Sequence, residues 1–216
     1  EGWSLYEYGL RTPAPGKQKW QRALKKPFSF HELPLWRGSE LKGQRILLLE
    51  EQAVGDTMMF ASLLPTLIQE AAHVGLLLGD RLVPIYRRSF LSEIQQGLVS
   101  VWSQHDVVDG KLYPGLFDVQ CPLGSICQHR FLAISTYAPR VPVLAVDGAS
   151  SKQLRLNYSM GATEKIIGIS WRGGAQADRM KQKAIHVDLI ADLMKQLRQN
   201  RLASLQSGEV NLVVSG

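Results

Sequence analysis

The chain has 216 residues, of which 45% are hydrophobic and 20% are charged, a composition typical of a globular protein that buries a sizeable core. Its formal net charge is +6, but the basic residues are scattered and form no block or basic helix, so we expect no nucleic-acid partner. No apolar run reaches the roughly 18 residues of a membrane span, so no span is predicted.

The cysteines and histidines show no metal-type spacing. The chain has 2 cysteines, Cys121 and Cys127, and 5 histidines, and neither cysteine belongs to a CxxC or zinc-like pattern. Cys121 lies in the apolar stretch "FDVQCPL", which predicts a buried, reduced thiol. The sequence therefore predicts no metal site and favours a reducing, cytoplasmic setting.

Residues 1–40 are predicted to form an arm that precedes the first domain. The stretch "WSLYEYGL" is typical of one short amphipathic helix, and the prolines beyond it predict irregular or extended backbone. A segment of this kind usually wraps the surface of a domain, held by apolar anchors. The available anchors are Trp20, Phe28, Phe30, Leu35 and Trp36. We expect the arm to join an upstream helical region to the domain that follows.

From Arg45 the pattern changes to alternating strands and helices. The run "RILLLEE" is apolar enough for a strand that is buried on both faces of a parallel sheet. A helix is predicted from Asp56 to about Ala72, with a kink at Pro65. Its predicted core face consists of Met59, Leu63, Leu64, Leu67 and Ile68.

The same alternation continues to residue 146. The further predicted strands are 74–80, 99–103, 116–123 and 141–146. A helical region broken near Pro84 precedes the second of these, a turn-rich gap occupies 109–115, and a helix covers 124–135. Strands that alternate with helices predict βαβ units and a Rossmann-like open parallel sheet with helices on both faces.

A second, shorter β-loop-α-β unit is predicted after the polar stretch 147–164. It consists of a strand at 165–171, a charged loop, a helix from His186 and a strand at 210–215. About fifty residues are too few for an independent sheet of the usual size. The predicted domains are therefore 41–158, a Rossmann-like domain, and 159–216, the truncated start of a second one. Both chain ends look cut from a longer protein.

Two strand-to-helix turns carry the candidate functional residues, because ligands of open α/β sheets bind at the carboxyl ends of the strands. At the first turn, Asp56 is predicted to be the N-cap of its helix, and Gly55 permits the positive φ that a tight turn needs. Glu50 and Glu51 are expected to form a solvated loop edge, and Gln52 offers hydrogen bonds.

The second turn is basic, and its flexible centre is Gly173-Gly174. Its cations are Arg172, Arg179, Lys181 and Lys183. Cations and backbone amides in front of a helix suit a diphosphate, which Arg binds through a planar fork and Lys as a point charge. A basic loop that is simply solvated explains the same residues equally well. The turn is neither a P-loop nor a GxGxxG fingerprint.

Several segments, in order over nearly the whole chain, match one known family. They are "WSLYEYGLR", "PLWRGSELKGQRILLLEEQAVGDTMMFASLLP", "FDVQCPLGSI", "VPVLAVD" and "IIGISWRGGA". Within them, "EQAVGDTMMF" is similar to the family's EQGxGDxxxF segment. The chain resembles the glycosyltransferase-like domains found behind tetratricopeptide repeats in bacterial proteins, which are related to glycosyltransferase family 9, the heptosyltransferases.

The resemblance implies a GT-B architecture, in which two Rossmann-like domains face each other across a cleft. It implies metal-independent transfer from a nucleotide-sugar, which is a substrate rather than a cofactor, to an acceptor that is a glycan or a protein. Asp56 corresponds to the proposed general base of the heptosyltransferases, a role that suits a carboxylate. Gln52 and Gly55 belong to the same motif and are expected to bind substrate.

The resemblance also implies a donor site in the second half of the chain. Lys183 corresponds to the lysine that meets the donor diphosphate, and Ser170 and Arg172 are expected beside it. Tetratricopeptide repeats are expected upstream of Glu1. The family's acidic-threonine-histidine segment has no counterpart before Gly216, so this chain by itself is expected to be inactive.

A non-catalytic interaction module is the alternative prediction. A Rossmann-like platform behind helical repeats can bind a partner protein through exposed aromatic residues, which the arm contains. An open cleft at Asp56 favours the transferase, whereas a buried cap without a pocket favours the module. A dinucleotide-dependent oxidoreductase is the third alternative, and it lacks the glycine fingerprint.

Overall fold

The structure is a computed structural model. It describes residues 2–10, 24–131, 133, 142–158, 166–169, 188–189, 201–204 and 212–213. The chain divides into two compact units, Glu1–Val146 and Asp147–Gly216.

The first unit is built on a four-stranded sheet in the order β3-β2-β1-β4, and every neighbouring pair is parallel. The strands are β1 (Arg45–Leu49), β2 (His73–Leu77), β3 (Val99–Trp102) and β4 (Val119–Pro122). The apolar runs place Leu48 beside Leu76 on one side and Cys121 on the other. The predicted open parallel sheet is confirmed, and its order reverses between β1 and β4, which makes that junction the topological switch point.

Short helices connect these strands and follow them. They are α1 (Gly2–Tyr6), α2 (Val54–Phe60), α3 (Leu64–Glu70), α4 (Val83–Ser89), α5 (Leu91–Gln95), α6 (Gln104–Val108) and α7 (Ile126–Arg130). A 3₁₀ turn at Ala61–Leu63 separates α2 from α3, and Pro65 lies in the first turn of α3. Proline is tolerated there because its missing N–H has no partner in the helix. The structure thus interrupts the predicted helix at Ala61–Leu63, just before Pro65, where the sequence predicted a kink.

One face of the sheet is covered by helices. Ile46 and Leu48 of β1 pack in one buried cluster with Leu64 and Leu67 of α3 and with Tyr86 of α4. Each of these side chains is fully buried, as the alternation along a strand and the spacing along a helix require. The prediction that Met59 belongs to the core face of this helical region is wrong, because Met59 is 58% exposed.

The opposite face is covered mainly by the arm. Phe28 and Leu33 pack against Leu47 and Leu49 of β1. Gly75 of β2 leaves the room that Phe117 occupies on this face, since a Cβ atom there would collide with the phenyl ring. The arm is therefore part of the core, as its aromatic residues predicted, and a chain segment replaces a second full layer of helices.

The arm also extends the sheet beyond β4. Gln120 N–H donates to the carbonyl of Pro34, and Trp36 N–H donates back to the carbonyl of Gln120, each at 2.8 Å. The buried Gln120 side chain donates through Nε2 to the carbonyl of Leu33 at 2.6 Å. A single buried amide thus fixes the path of an otherwise irregular segment.

Three details of the first unit differ from the predictions. The helical region after β2 breaks at Phe90 instead of Pro84, because Pro84 lies at the start of α4, where it fits. Helix α6 was not predicted. Residues 142–146 form no strand, and Val143 and Leu144 pack singly on the core instead.

The second unit contains α8 (Gly148–Tyr158), β5 (Ile166–Ile169), β6 (Arg201–Ser204) and β7 (Leu212–Val213). Strand β5 pairs parallel with β6, and β6 pairs antiparallel with β7. Strand β5 lies within the predicted strand 165–171. The sequence missed β6, and it also missed α8 within the polar stretch 147–164, because α8 is a polar helix without an apolar face.

Cys121 and Cys127 are both buried and form no disulfide, which confirms the buried, reduced thiol that the sequence predicted at Cys121. Across the described ranges, no helix is long and apolar enough to cross a lipid bilayer.

Candidate functional site

The candidate site is the turn between β1 and α2, which lies at the carboxyl end of a strand beside the switch point. The turn comprises residues 50–53, and α2 begins at Val54. Gln52 has a φ of 59°, in the left-handed region that side chains other than glycine seldom adopt. Gly55 lies inside the helix with no positive φ, so the predicted role of Gly55 in the turn was wrong and Gln52 makes the sharp bend.

Glu50 and Glu51 are buried, which corrects the prediction of a solvated loop edge. Their exposed fractions are 7% and 1%. The Glu50 carboxylate accepts a hydrogen bond from the N–H of Gly79, which follows β2, and lies 3.9 Å from Lys25 Nζ. A buried carboxylate needs such donors, since burial of an unpaired charge is costly.

The Glu51 side chain extends toward the end of β4, the strand on the other side of β1 from β2. Its Oε1 accepts hydrogen bonds from the N–H of Gly124, just after β4, at 3.0 Å and from the hydroxyl of Tyr6 in α1 at 2.9 Å. Together with Glu50, this side chain ties the carboxyl ends of β2, β1 and β4 to one another and to the N-terminal helix.

Two glycines make room for these carboxylates. A Cβ atom at Gly124 would collide with Glu51 Oε1 and with the ring of Tyr6, and one at Gly79 would lie 3.2 Å from Glu50 Oε2. Each glycine comes directly after the apolar run of its strand, in "LLLG" and "CPLG". Glycine at the same place after two strands was the sequence signal that could have identified these contacts.

Asp56 is the third residue of α2, and the N-cap is Ala53, so the predicted N-cap role of Asp56 was wrong. Its Oδ2 accepts a hydrogen bond from the Ala53 N–H at 3.1 Å. The side chain therefore reaches back over the helix start, as the acidic residue of a capping box does. Asp56 is half-buried, and its Oδ1 has no hydrogen-bond partner in the part of the chain that the structure describes.

Hydrogen bonds of two buried residues stabilise the first turn of α2. Thr57 is fully buried, and its hydroxyl lies 3.4 Å from the carbonyl of Glu51 and 3.3 Å from that of Ala53. Tyr86 donates its hydroxyl hydrogen to the carbonyl of Thr57 at 2.7 Å. Burial, and then the Glu50 carboxylate, raise the pKa of Tyr86 above its usual range, so this donor stays protonated.

Gln52 presents an unmatched amide. Its Nε2 atom is buried and has no hydrogen-bond partner among residues 2–10, 24–131 and the other described ranges. A buried donor of this kind is normally satisfied by protein, water or ligand. Gln52 lies in the turn that leads into α2, four residues before Asp56.

The residues predicted for the donor half, Ser170, Arg172 and Lys183, lie outside the described residues. Among the described residues, no group of three or more His, Cys, Asp and Glu side chains is arranged to hold a metal ion. The structure thus places Gln52 in the turn before α2, and Gly55 and Asp56 in the first turn of that helix.

Comparison with known proteins gives one distant relative. No family model matches the chain, and no solved structure matches it. Protein FlbA of Caulobacter vibrioides is 32% identical over 95 residues, which make up 42% of this chain and 14% of FlbA. The match is thus to a small part of a longer protein.

Proposed function

We propose that this chain carries the acceptor-side domain of a GT-B glycosyltransferase that transfers a sugar from a nucleotide-sugar without a metal ion. In this proposal Asp56 is the general base that takes the proton of the acceptor hydroxyl, and the hydroxyl oxygen displaces the nucleotide diphosphate at the anomeric carbon. Lys183 with Arg172 would neutralise the departing diphosphate, with Ser170 beside them as a further substrate-binding residue.

The observation that carries this proposal is the state of the Asp56 carboxylate. One of its oxygens is bound to the Ala53 N–H, and the other has no partner among the described residues. A general base needs a fixed orientation and a free lone pair, and this arrangement offers both. The position after the central strand β1, at the switch point, is the usual location of ligand sites in open α/β sheets.

The surrounding contacts support the proposal because they make the turn rigid. Glu50 and Glu51 are bound to backbone N–H groups of the neighbouring strand ends, and Thr57 binds the turn from inside. A catalytic group must be held close to its working geometry, which buried hydrogen bonds achieve. Gln52, with its unmatched buried Nε2, is suited to bind an oxygen of the acceptor or donor.

A non-catalytic interaction module is the second candidate, and one observation favours it. The Glu51 side chain occupies the space between the ends of β1 and β4, where many open sheets hold their ligand. Tyr6 closes over the same carboxylate. In the transferase the ligand would therefore lie above α2, beside Asp56, whereas in the module no ligand is needed.

Nucleotide release by the full-length protein distinguishes the two functions. The protein is incubated with a panel of nucleotide-diphosphate sugars and candidate glycan or peptide acceptors, and free nucleotide is measured. The transferase predicts acceptor-stimulated release that falls about 10²- to 10⁴-fold in Asp56→Asn. Full turnover by Asp56→Asn would remove the base assignment, and no release with any donor would favour the module.

A further inference from the structure

A cavity that does not include Asp56 lies where α1 meets α7 and the arm. Its volume is about 530 Å³, within the range typical of small-molecule sites. The lining residues are Ser4, Glu7, Tyr8, Leu10, Phe30, Leu35, Trp36, Arg37, Ser125, Gln128 and His129. All of them belong to the first unit.

The cavity has a buried floor and an exposed mouth. Trp36 and Ser125 at the floor are only 1% and 2% exposed. Ser4, Tyr8 and Arg37 are exposed and surround the opening. A ligand can thus enter from solvent and still lose most of its contact with water, which is the usual condition in a specific small-molecule site.

One buried polar atom in the lining of this cavity lacks a partner. Gln128 Oε1 is buried and has no hydrogen-bond partner in the described part of the chain. Within those same ranges, the side chains of Ser4, Arg37 and His129 form no hydrogen bond, although the His129 carbonyl accepts one from Arg130 Nη1 at 3.3 Å. Because an unmatched buried acceptor costs free energy, Gln128 indicates a missing donor from a ligand or from water.

The charges in the cavity favour an uncharged ligand. Glu7 and Arg37 have opposite charges, and Glu7 Oε1 already accepts a hydrogen bond from the Ser125 hydroxyl at 2.8 Å. Burial lowers the pKa of His129, assisted by Arg130 and Arg37 and opposed by Glu7, so this imidazole is neutral at pH 7. A neutral imidazole both donates and accepts hydrogen bonds.

Aromatic surface completes the lining. The Tyr8 ring is 47% exposed at the mouth, and Phe30 and Trp36 lie deeper. The Trp36 indole N–H is already bound to the carbonyl of Ser39 at 3.1 Å, and the Arg130 guanidinium lies over its ring, so Trp36 closes the floor of the cavity and offers no donor. Hydroxyl-binding groups next to aromatic rings match the alternating polar and C–H surfaces of a sugar ring.

We propose that this cavity is a saccharide-binding site, in which a sugar hydroxyl donates to Gln128 Oε1 and the sugar ring lies against Tyr8. His129 and Ser4 then exchange hydrogen bonds with further hydroxyl groups. Asp56 is not part of the site, and the proposal does not depend on transfer activity. It therefore stands or fails separately from the proposed function.

The test uses the chain as it is, with NMR detection of the Trp36 indole N–H. Glucose, galactose and N-acetylglucosamine are titrated separately, and lysine amide serves as a cationic probe without hydroxyl groups. We expect at least one sugar to shift the Trp36 signal in a saturable way, and Gln128→Leu to weaken that binding about three- to tenfold, the usual value of one hydrogen bond.

Gln44→Leu is the matched control. Gln44 Oε1 is also buried without a partner among the described residues, but Gln44 does not line this cavity. Its replacement should leave sugar binding unchanged, which separates a local contact from an effect on folding. The proposal is wrong if none of the sugars binds, if lysine amide binds in their place, or if both leucine variants reduce sugar binding equally.

Discussion

Helices α2 and α6 begin in the same way, yet their acidic residues are held differently. Each helix follows a parallel strand, and each has an aspartate as its third residue. Asp106 Oδ2 accepts the N–H of Ser103 at 2.7 Å and its hydroxyl at 2.9 Å. Asp56 Oδ2 accepts the N–H of Ala53 at 3.1 Å, and alanine has no hydroxyl to add.

The difference between the two starts is therefore one side chain at the N-cap. Serine is a favourable N-cap and alanine a poor one, by about 1 kcal/mol. The Ser103 N–H, together with the Ser103 hydroxyl, lowers the pKa of Asp106. At α2 the chain does without this stabilisation, although in both helices the described hydrogen bonds involve only the Oδ2 atom of the aspartate. The difference predicts that Asp106 stabilises the start of α6 more than Asp56 stabilises the start of α2.

The largest expected effect concerns the turn before α2, whose stability should come mainly from the buried Glu51 and only slightly from Asp56. Glu51→Ala would leave the buried Gly124 N–H and the Tyr6 hydroxyl without their acceptor, so we expect the free energy of unfolding to fall by about 2–4 kcal/mol. Asp56→Ala should lower it by no more than about 1 kcal/mol. Urea denaturation measures both, and equal losses would contradict the comparison.

Alanine substitutions at Gly124, beside Glu51, and at Gly55, beside Asp56, test the same difference between the two acidic residues. A methyl group at Gly124 collides with Glu51 and Tyr6, so Gly124→Ala should lower the free energy of unfolding by about 1–3 kcal/mol. Gly55 has no atom within 4 Å of a Cβ position and lies inside a helix, so Gly55→Ala should raise it by up to about 1 kcal/mol. A stable Gly124→Ala protein would show that the strand ends are loosely packed.

Asp106 of α6 should make the free energy of unfolding depend on pH. The folded pKa of Asp106 is lowered, so its stabilisation is complete above the ordinary aspartate pKa of about 4 and is lost as the pH falls through the lower folded pKa. Asp106→Asn should remove at most about 1 kcal/mol near neutral pH, since solvent screens the group, and this difference should vanish in acid. Thermal unfolding of the wild type and Asp106→Asn from neutral to acidic pH measures this difference in stability. An equal difference at every pH would contradict the prediction.

The smallest expected effect comes from giving α2 the N-cap of α6. Ala53→Ser adds a hydroxyl that can donate to Asp56, as Ser103 does to Asp106. We expect a gain of about 0.5–1 kcal/mol in the free energy of unfolding, together with slower nucleotide release, because the added donor lowers the basicity of the carboxylate. Faster nucleotide release by Ala53→Ser would show that turnover does not depend on keeping hydrogen-bond donors away from the Asp56 carboxylate.

The sequence predicted the parts of the fold that depend on local apolar patterns. The run at Arg45–Leu49 forms the predicted buried strand, and the turn with Asp56 lies at the predicted sheet edge. Glu50 and Glu51 were misjudged because their partners are 29 and 73 residues away, where no local pattern reveals them. Helix α8 was missed because it has no apolar stripe.

Nucleotide release by full-length Asp56→Asn and Asp106→Asn proteins, compared in one experiment, tests the central claim most directly. Both changes keep an oxygen that can accept the N-cap N–H, so both proteins should fold, and thermal unfolding confirms this. We expect Asp106→Asn to retain wild-type turnover and Asp56→Asn to lose about 10²- to 10⁴-fold. Equal turnover in the two folded variants would contradict the assignment of Asp56 as the base.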